Sequence, residues 1–202
     1  LVTGWVIGWV PIEEYTFFIV QPIFTALWLF YWLKRLPVAP VGRWEDTYLR
    51  RSLVTVAFSV WLITVAILAT GWQPGTYLAL ELGWAAVPLM LQFWFGGDIL
   101  WRYRRQLAVA IIPTTLYLAF ADALAIQSGT WTIDPAQSLN IYLGGVLPIE
   151  EFIFFLITNV MLVFGMTLAL AAESRQRARQ LAHRFPVMGR WLRAFSEAGS
   201  QV

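Results

Sequence analysis

After Glu14 no charged residue occurs until Lys34, and that uninterrupted apolar run restricts the chain more than any other feature. A helix over Ile12 to Leu33, rising about 1.5 Å per residue, crosses a hydrocarbon core of about 30 Å. Comparable runs are expected at 52–70, 77–95, 106–126 and 147–172. Lipid offers the backbone no hydrogen bonds, so a spanning segment must be a helix or part of a closed barrel. Barrel strands would be about ten residues long and alternating in polarity, and these runs are neither. Hydrophobic residues make up 59% of the 202 and charged residues 13%, against about 25% charged in soluble domains. The mean hydropathy is +0.64. The expected fold is all-α: a polytopic membrane helical bundle with five visible transmembrane helices and a duplicated unit.

The same composition narrows the chemistry. Cys is absent and His183 is the only imidazole, which removes thiolate nucleophiles, disulfides, iron–sulfur motifs and a histidine-based metal site. No metal and no cofactor are expected, and carboxylates are the groups left for catalysis. A pI of 9.2 raises the question of nucleic acid, but the basic residues flank membrane spans, where they set topology. All fourteen fall in 34–51, 98–105 and the tail, and none in 71–76 or 127–146. Five spans put the three basic regions on one side, so the expected location is the cell membrane, multi-pass, with a cytoplasmic tail and residues 1–10 outside at headgroup depth. Pro22 is expected to kink the first span. The tail from Glu173, Arg-rich and weakly amphipathic, is expected on the membrane surface or disordered.

Two spans open on the same words. Pro11-Ile12-Glu13-Glu14-Tyr15 with Phe17-Phe18 returns as Pro148-Ile149-Glu150-Glu151-Phe152 with Phe154-Phe155, and Gly8 and Gly145 stand three residues ahead of each Pro. Pro fits the first helical turn, where its missing N–H costs nothing. The topology brings both acidic pairs, Glu81 and Asp122 to similar depth in the outer half of the bilayer, with Asp98 at the opposite boundary. Adjacent helical residues differ in direction by about 100°, so one acid of each pair is expected to face a central cavity while the other is held by hydrogen bonds. Acids behind a proline are also ordinary N-terminal dressing, and Glu81 at a boundary can simply reach headgroups. Repetition and intramembrane position favour a site.

A carboxylic acid among apolar groups beside a second carboxylate can retain a proton near neutrality and deliver it, while a partner accepts one elsewhere. The faces of Phe17, Phe18, Phe154, Phe155 and Trp131 can stabilise a developing cation. Acid, base and aromatic lining suit cation-mediated rearrangement of a lipid-soluble hydrocarbon.

On these residues the chain resembles the small, membrane-embedded, non-flavin lycopene cyclase family in its fused two-unit form. The resemblance is carried by both Pro-Ile-Glu-Glu segments, Gln21-Pro22, Gly96-Gly97-Asp98-Ile99-Leu100, Asp122 with Gly129 and Trp131, and Thr158-Asn159. It implies a non-redox intramolecular lyase or isomerase that closes the linear ends of lycopene into β-ionone rings, giving γ-carotene and then β-carotene. The implied catalytic groups are Glu13 or Glu14 with Glu150 or Glu151, and Glu81 and Asp122 tune or relay protons. Gln21 and Asn159 join the aromatic residues as substrate lining. The implied division is 1–33 as the terminal helix of a first unit, 34–51 as linker, 52–76 as an additional helix and turn, 77–172 as the second unit and 173–202 as a basic tail. Two further helices are expected ahead of the first motif, supplied by a preceding segment, a partner chain or a homo-oligomer. The expected partners are lycopene or a related carotenoid and membrane lipid, with no nucleic acid.

Cyclases of C50 carotenoids or ε ends would share these motifs. A carboxylate-based proton or cation transporter would string its acids along a path instead of gathering them at one depth. A retinal protein would need an interior Lys, and the only lysine, Lys34, lies at a helix boundary. A structural membrane subunit is the remaining reading.

Overall fold

The computed structural model describes residues 3–8, 10–38, 45–130 and 133–184. Helices α1 (Ile12–Leu33), α2 (Thr47–Thr70), α3 (Thr76–Arg102), α4 (Arg104–Gln127) and α5 (Ile149–Leu170) are each long and apolar enough to cross a membrane. A shorter helix, α6 (Ala172–Arg184), follows α5. Helix α5 is central and packs on α1, α3 and α4, while α2 lies along α3. One core gathers Leu29, Ile99, Leu107, Ala110 and Val163 from α1, α3, α4 and α5.

The repeated sequence builds a repeated entry. Strands β1 (Val6–Ile7) and β2 (Val10–Pro11) form one antiparallel hairpin, and β3 (Tyr142–Leu143) and β4 (Leu147–Pro148) form another. Positive φ at Gly8, and at Gly144 and Gly145, turns the chain as only glycine does cheaply. Each hairpin ends on a proline that caps the helix from outside its first turn, with φ/ψ of −59/146 at Pro11 and −55/141 at Pro148. The first helical amides are then satisfied alike: Ile12 N donates to Trp5 O at 3.0 Å and Ile149 N to Ile141 O at 2.8 Å.

Several boundaries depart from expectation. Helix α2 begins before Ser52 because Asp46 accepts from Leu49 N at 2.9 Å as its N-cap. Helix α1 runs unbroken through Pro22. The Gly96-Gly97-Asp98 stretch does not close its span; α3 continues to Arg102 with a kink at Gly96, φ −154 and ψ 32. Both glycines are sites of close packing. A side chain at Gly96 would collide with Leu168, and one at Gly97 would crowd Leu53.

The start of the tail is ordered as α6, which docks on the bundle through Arg177. Its Nη1 and Nη2 donate to the two oxygens of Asp98 at 2.6 and 2.7 Å, and Nη1 also donates to Phe95 O at 2.6 Å. Asp98 further accepts from Asp46 N at 3.0 Å and faces Arg50 Nε at 3.5 Å. Both members of the Arg177–Asp98 pair are buried. Glu173 adds a second attachment, pairing with Arg102 at 3.2 Å and accepting from Tyr103 at 3.2 Å.

Midway along the bundle a second polar brace joins three helices. Asn159 Oδ1 on α5 accepts from Gln21 Nε2 and Thr25 Oγ1 on α1 at 2.7 and 2.9 Å, and its Nδ2 donates to Thr115 Oγ1 on α4 at 3.1 Å. All four residues are buried.

Each brace predicts a stability change measurable by denaturant unfolding in detergent. Arg177→Met leaves a buried carboxylate with diminished pairing and is expected to cost about 3 kcal/mol or more. The control Arg175→Met, at an exposed position of the same helix, should stay within about 0.5 kcal/mol; equal losses would mean that the pair contributes nothing particular. Asn159→Leu removes its three bonds, at about 0.6 kcal/mol each between membrane helices, and should lower stability by about 2 kcal/mol.

Candidate active site

Above the Asn159 brace, the two repeats meet through their phenylalanines. Phe17 and Phe155 lie 5.9 Å apart between ring centroids, and Phe18 and Phe154 lie 6.3 Å apart, both edge to face. The adjacent rings in each pair are 5.6 Å apart and also edge to face. Phe155 is buried with Leu118, Ala119 and Leu147, while Phe18 is exposed. Edge-to-face contact leaves π-faces free of their neighbours.

One helical turn nearer the hairpins stand the carboxylates. The first acid of each pair is held by the segment before it. Glu150, fully buried, accepts from Ser138 Oγ at 3.0 Å and Leu139 N at 2.6 Å through its Oε1. Glu13 Oε1 accepts from Thr3 N at 2.6 Å and Thr3 Oγ1 at 2.8 Å. A backbone amide and a hydroxyl from upstream thus hold the same acid in both copies.

The second acid of each pair is differently engaged. Glu151 is buried and accepts from the Tyr77 hydroxyl at 2.6 Å, a bond that reaches from α3 to α5. Asp122 on α4, Glu14 on α1 and Glu150 are within electrostatic range of it. Glu81, one turn beyond Tyr77 on α3, is buried and within range of Glu151 and Glu150. The Tyr77 hydroxyl also lies within reach of the Glu81 carboxyl. Glu14 is exposed. Glu14, Glu81, Asp122, Glu150 and Glu151 therefore gather at one end of the bundle, whereas Glu13 is turned to Thr3.

Gln21 and Asn159, expected as lining, are joined by the bond from Gln21 Nε2 to Asn159 Oδ1 and brace the helices below the aromatic layer. Trp131 lies outside the described residues. Tyr77 was not singled out by the sequence, although its spacing from Glu81, four residues on a helix, places the two on one face. Its position is fixed at the backbone too, where Tyr77 N donates to Gln137 O at 3.2 Å. The segment that holds Glu150 through Ser138 and Leu139 thus also holds the start of α3. A groove of about 690 Å³ lies at the opposite, basic end of the bundle, lined by Arg50, Arg51, Trp94 and Arg177 among others, with none of the clustered carboxylates in its wall.

The carboxylates have the makings of acid–base chemistry: several groups of one kind in unlike surroundings, some fixed by hydrogen bonds from the segment before them and others facing a phenol, beside an aromatic layer.

Neither a family model nor a solved structure matches the chain. Among curated proteins, it is 38% identical over 179 residues to a lycopene beta-cyclase of Halobacterium salinarum, an alignment covering 86% of this chain and 72% of that protein. It is 33% identical over 205 residues to a bifunctional lycopene cyclase/phytoene synthase of Aspergillus oryzae, covering 96% of this chain and 34% of the relative. The corresponding bifunctional protein of Podospora anserina is 39% identical over 166 residues, 78% of this chain and 28% of its own length. The chain thus spans about a third of the fungal proteins or less, and most of the archaeal one. Sustained identity over most of the halobacterial cyclase, reached in a chain whose paired acidic helix starts meet at one end of a helical bundle, shows that this chain belongs to the lycopene cyclase family.

Proposed function

We propose that the protein cyclises the linear ends of lycopene to β-ionone rings, forming γ-carotene and then β-carotene. The observation that carries this reading is Glu151, buried at the meeting of α1, α3, α4 and α5, with Glu14, Glu81 and Asp122 within electrostatic range and the phenylalanine layer one turn away. The halobacterial relative named a lycopene beta-cyclase supports the same conclusion.

The reaction is an isomerisation and needs only a proton given and a proton taken. Addition of a proton at C2 of the linear end leaves a tertiary cation at C1. The C5–C6 double bond supplies the electron pair for the C1–C6 bond, which moves the cation to C5. Loss of the proton from C6 then forms the ring double bond. No electrons are gained or lost, so carboxyl groups suffice as donor and acceptor. We assign these roles to Glu14 and Glu151, the members of each pair that their upstream segments leave available. Glu13 and Glu150 fix the helix entries, and Asp122 and Glu81 move or tune protons. The four phenylalanine rings stabilise the passing cation through their faces and exclude water that would trap it.

The same reading assigns the acidic end to the outer side of a cell membrane and the Arg-rich end to the cytoplasm, supported by the confinement of all fourteen basic residues to 34–51, 98–105 and the tail. It also treats α1 as the last helix of a first unit and 77–172 as a second, with the remainder of the first unit supplied by preceding sequence or another chain. A transporter is less well supported, because Asp98 at the far end is committed to Arg177 and does not extend the carboxylates into a path.

The test is carotenoid analysis of lycopene-accumulating cells expressing the complete gene. Glu14→Gln and Glu151→Gln, at wild-type membrane levels, should each lower β-carotene formation by about a hundredfold or more and leave lycopene, the range expected for losing a general acid or base. Untouched lycopene with a well-expressed wild-type protein would refute the cyclase.

A further inference from the structure

Cyclisation by two different carboxyl groups leaves a debt of protons inside the site. The donor ends each cycle ionised and the acceptor ends it protonated, so the next cycle requires a proton to travel back. Water could carry it, but water is the reagent that a carbocation site must exclude.

The side chain best situated for that task is a phenol. Tyr77 enters from α3, half-buried, and donates to Glu151 Oε1 at 2.6 Å. Four residues along the same helix, Glu81 lies on the same face, buried, with the Tyr77 hydroxyl within its reach. The charges of Glu151, Glu81 and Asp122 all act on the Tyr77 hydroxyl. A hydroxyl both donates and accepts, and so one phenol can serve two carboxyl groups at once.

We propose that Tyr77 is the proton bridge that reloads Glu151, as the donor, from Glu81 between cycles. In the transfer, a proton on the Glu81 carboxyl moves to Tyr77 Oη while the Tyr77 hydroxyl proton moves to Glu151 Oε1. Glu81 becomes ionised, Glu151 becomes protonated, and the phenol is neutral before and after; the exposed Glu14, as acceptor, then gives its proton to solvent and Glu81 takes one up, so the cycle closes with no net gain or loss of protons. No oxidant, reductant or other reactant is consumed. Rotation of the hydroxyl then restores the starting bond. The fold invests in the placement: Gln137 accepts from the Tyr77 backbone amide at 3.2 Å, and the next two residues, Ser138 and Leu139, hold Glu150. One segment therefore sets the distance between the phenol and the second acidic pair.

This inference rests on the cyclase reading, and the experiment separates the two. The full-length protein and its Tyr77→Phe variant are reconstituted in lycopene-containing vesicles and followed through the first and later turnovers, in H2O and in D2O. Tyr77→Phe keeps the ring and removes the bridge. It should show a burst of about one ring per protein, followed by a steady rate at least tenfold below wild type, with KM within twofold and a larger solvent isotope effect on the steady phase. Glu81→Gln, on the far side of the phenol, should show the same burst and serves if the first variant is poorly folded. Equal slowing of both phases would reduce Tyr77 to a structural role and overturn the bridge, as would a wild-type steady rate. A wild-type protein that forms no ring at all would overturn the cyclase reading and the bridge with it.

Discussion

A carboxyl group can stay among apolar helices only if the protein supplies the hydrogen bonds that water no longer does. That requirement governs the acidic end of this bundle. Glu150 is fully buried and survives there because a serine hydroxyl and a backbone amide from the preceding segment converge on one of its oxygens. The segment must itself be shaped for this. Asp134 accepts from Ala136 N, the Asn140 side chain donates to the carbonyls of Pro135 and Ser138, and Asn140 adopts a positive φ of 58. A stretch that crosses no membrane is therefore as much a part of the site as the helices are.

The two copies of the motif share an architecture and differ in burial. Both begin with a hairpin, a proline cap and a held first acid. In the second copy the acids are buried beneath that segment and against α3 and α4, whereas in the first Glu13 is partly covered and Glu14 is exposed. The difference follows from position. Helix α5 is flanked by α1, α3 and α4, while α1 packs mainly on α4 and α5. Equivalent residues are thus given unlike surroundings, the condition under which groups of one chemical kind can serve as donor and acceptor.

Much of this was legible beforehand, for reasons that explain the exceptions. Helix α1 ends where the apolar run ends, because in lipid the hydropathy limit and the helix limit are set by the same physics. The gathering of Glu81, Asp122 and the second acidic pair followed from counting spans. Tyr77 escaped notice because a tyrosine at a helix start is ordinary in a membrane protein, and its partner Glu151 lies 74 residues away. The glycine pair at 96 and 97 looked like a stop, yet Leu168 and Leu53 fill the space that the missing side chains leave, so packing carries the helix through. Arg177 looked like one more basic residue in a tail; only the fold reveals that Asp98 lies within its reach. Gln21 and Asn159 were chosen for their motif neighbourhood, and nothing local to either indicated that they would bond across 138 residues.

The anchoring of α6 has a consequence at the far end of the molecule. Helix α5 runs directly into it, so the Arg177–Asp98 pair fixes where α5 stops, while the Glu150 bonds fix where it starts. A helix that slid along its axis by a single residue would move its side chains by about 1.5 Å and turn them by about 100°, enough to break a 2.6 Å contact such as that between Tyr77 and Glu151. Fastened at both ends, α5 works as a ruler with two stops, and the aspartate at the basic end helps to set the spacing of the carboxylates at the other end of the helix.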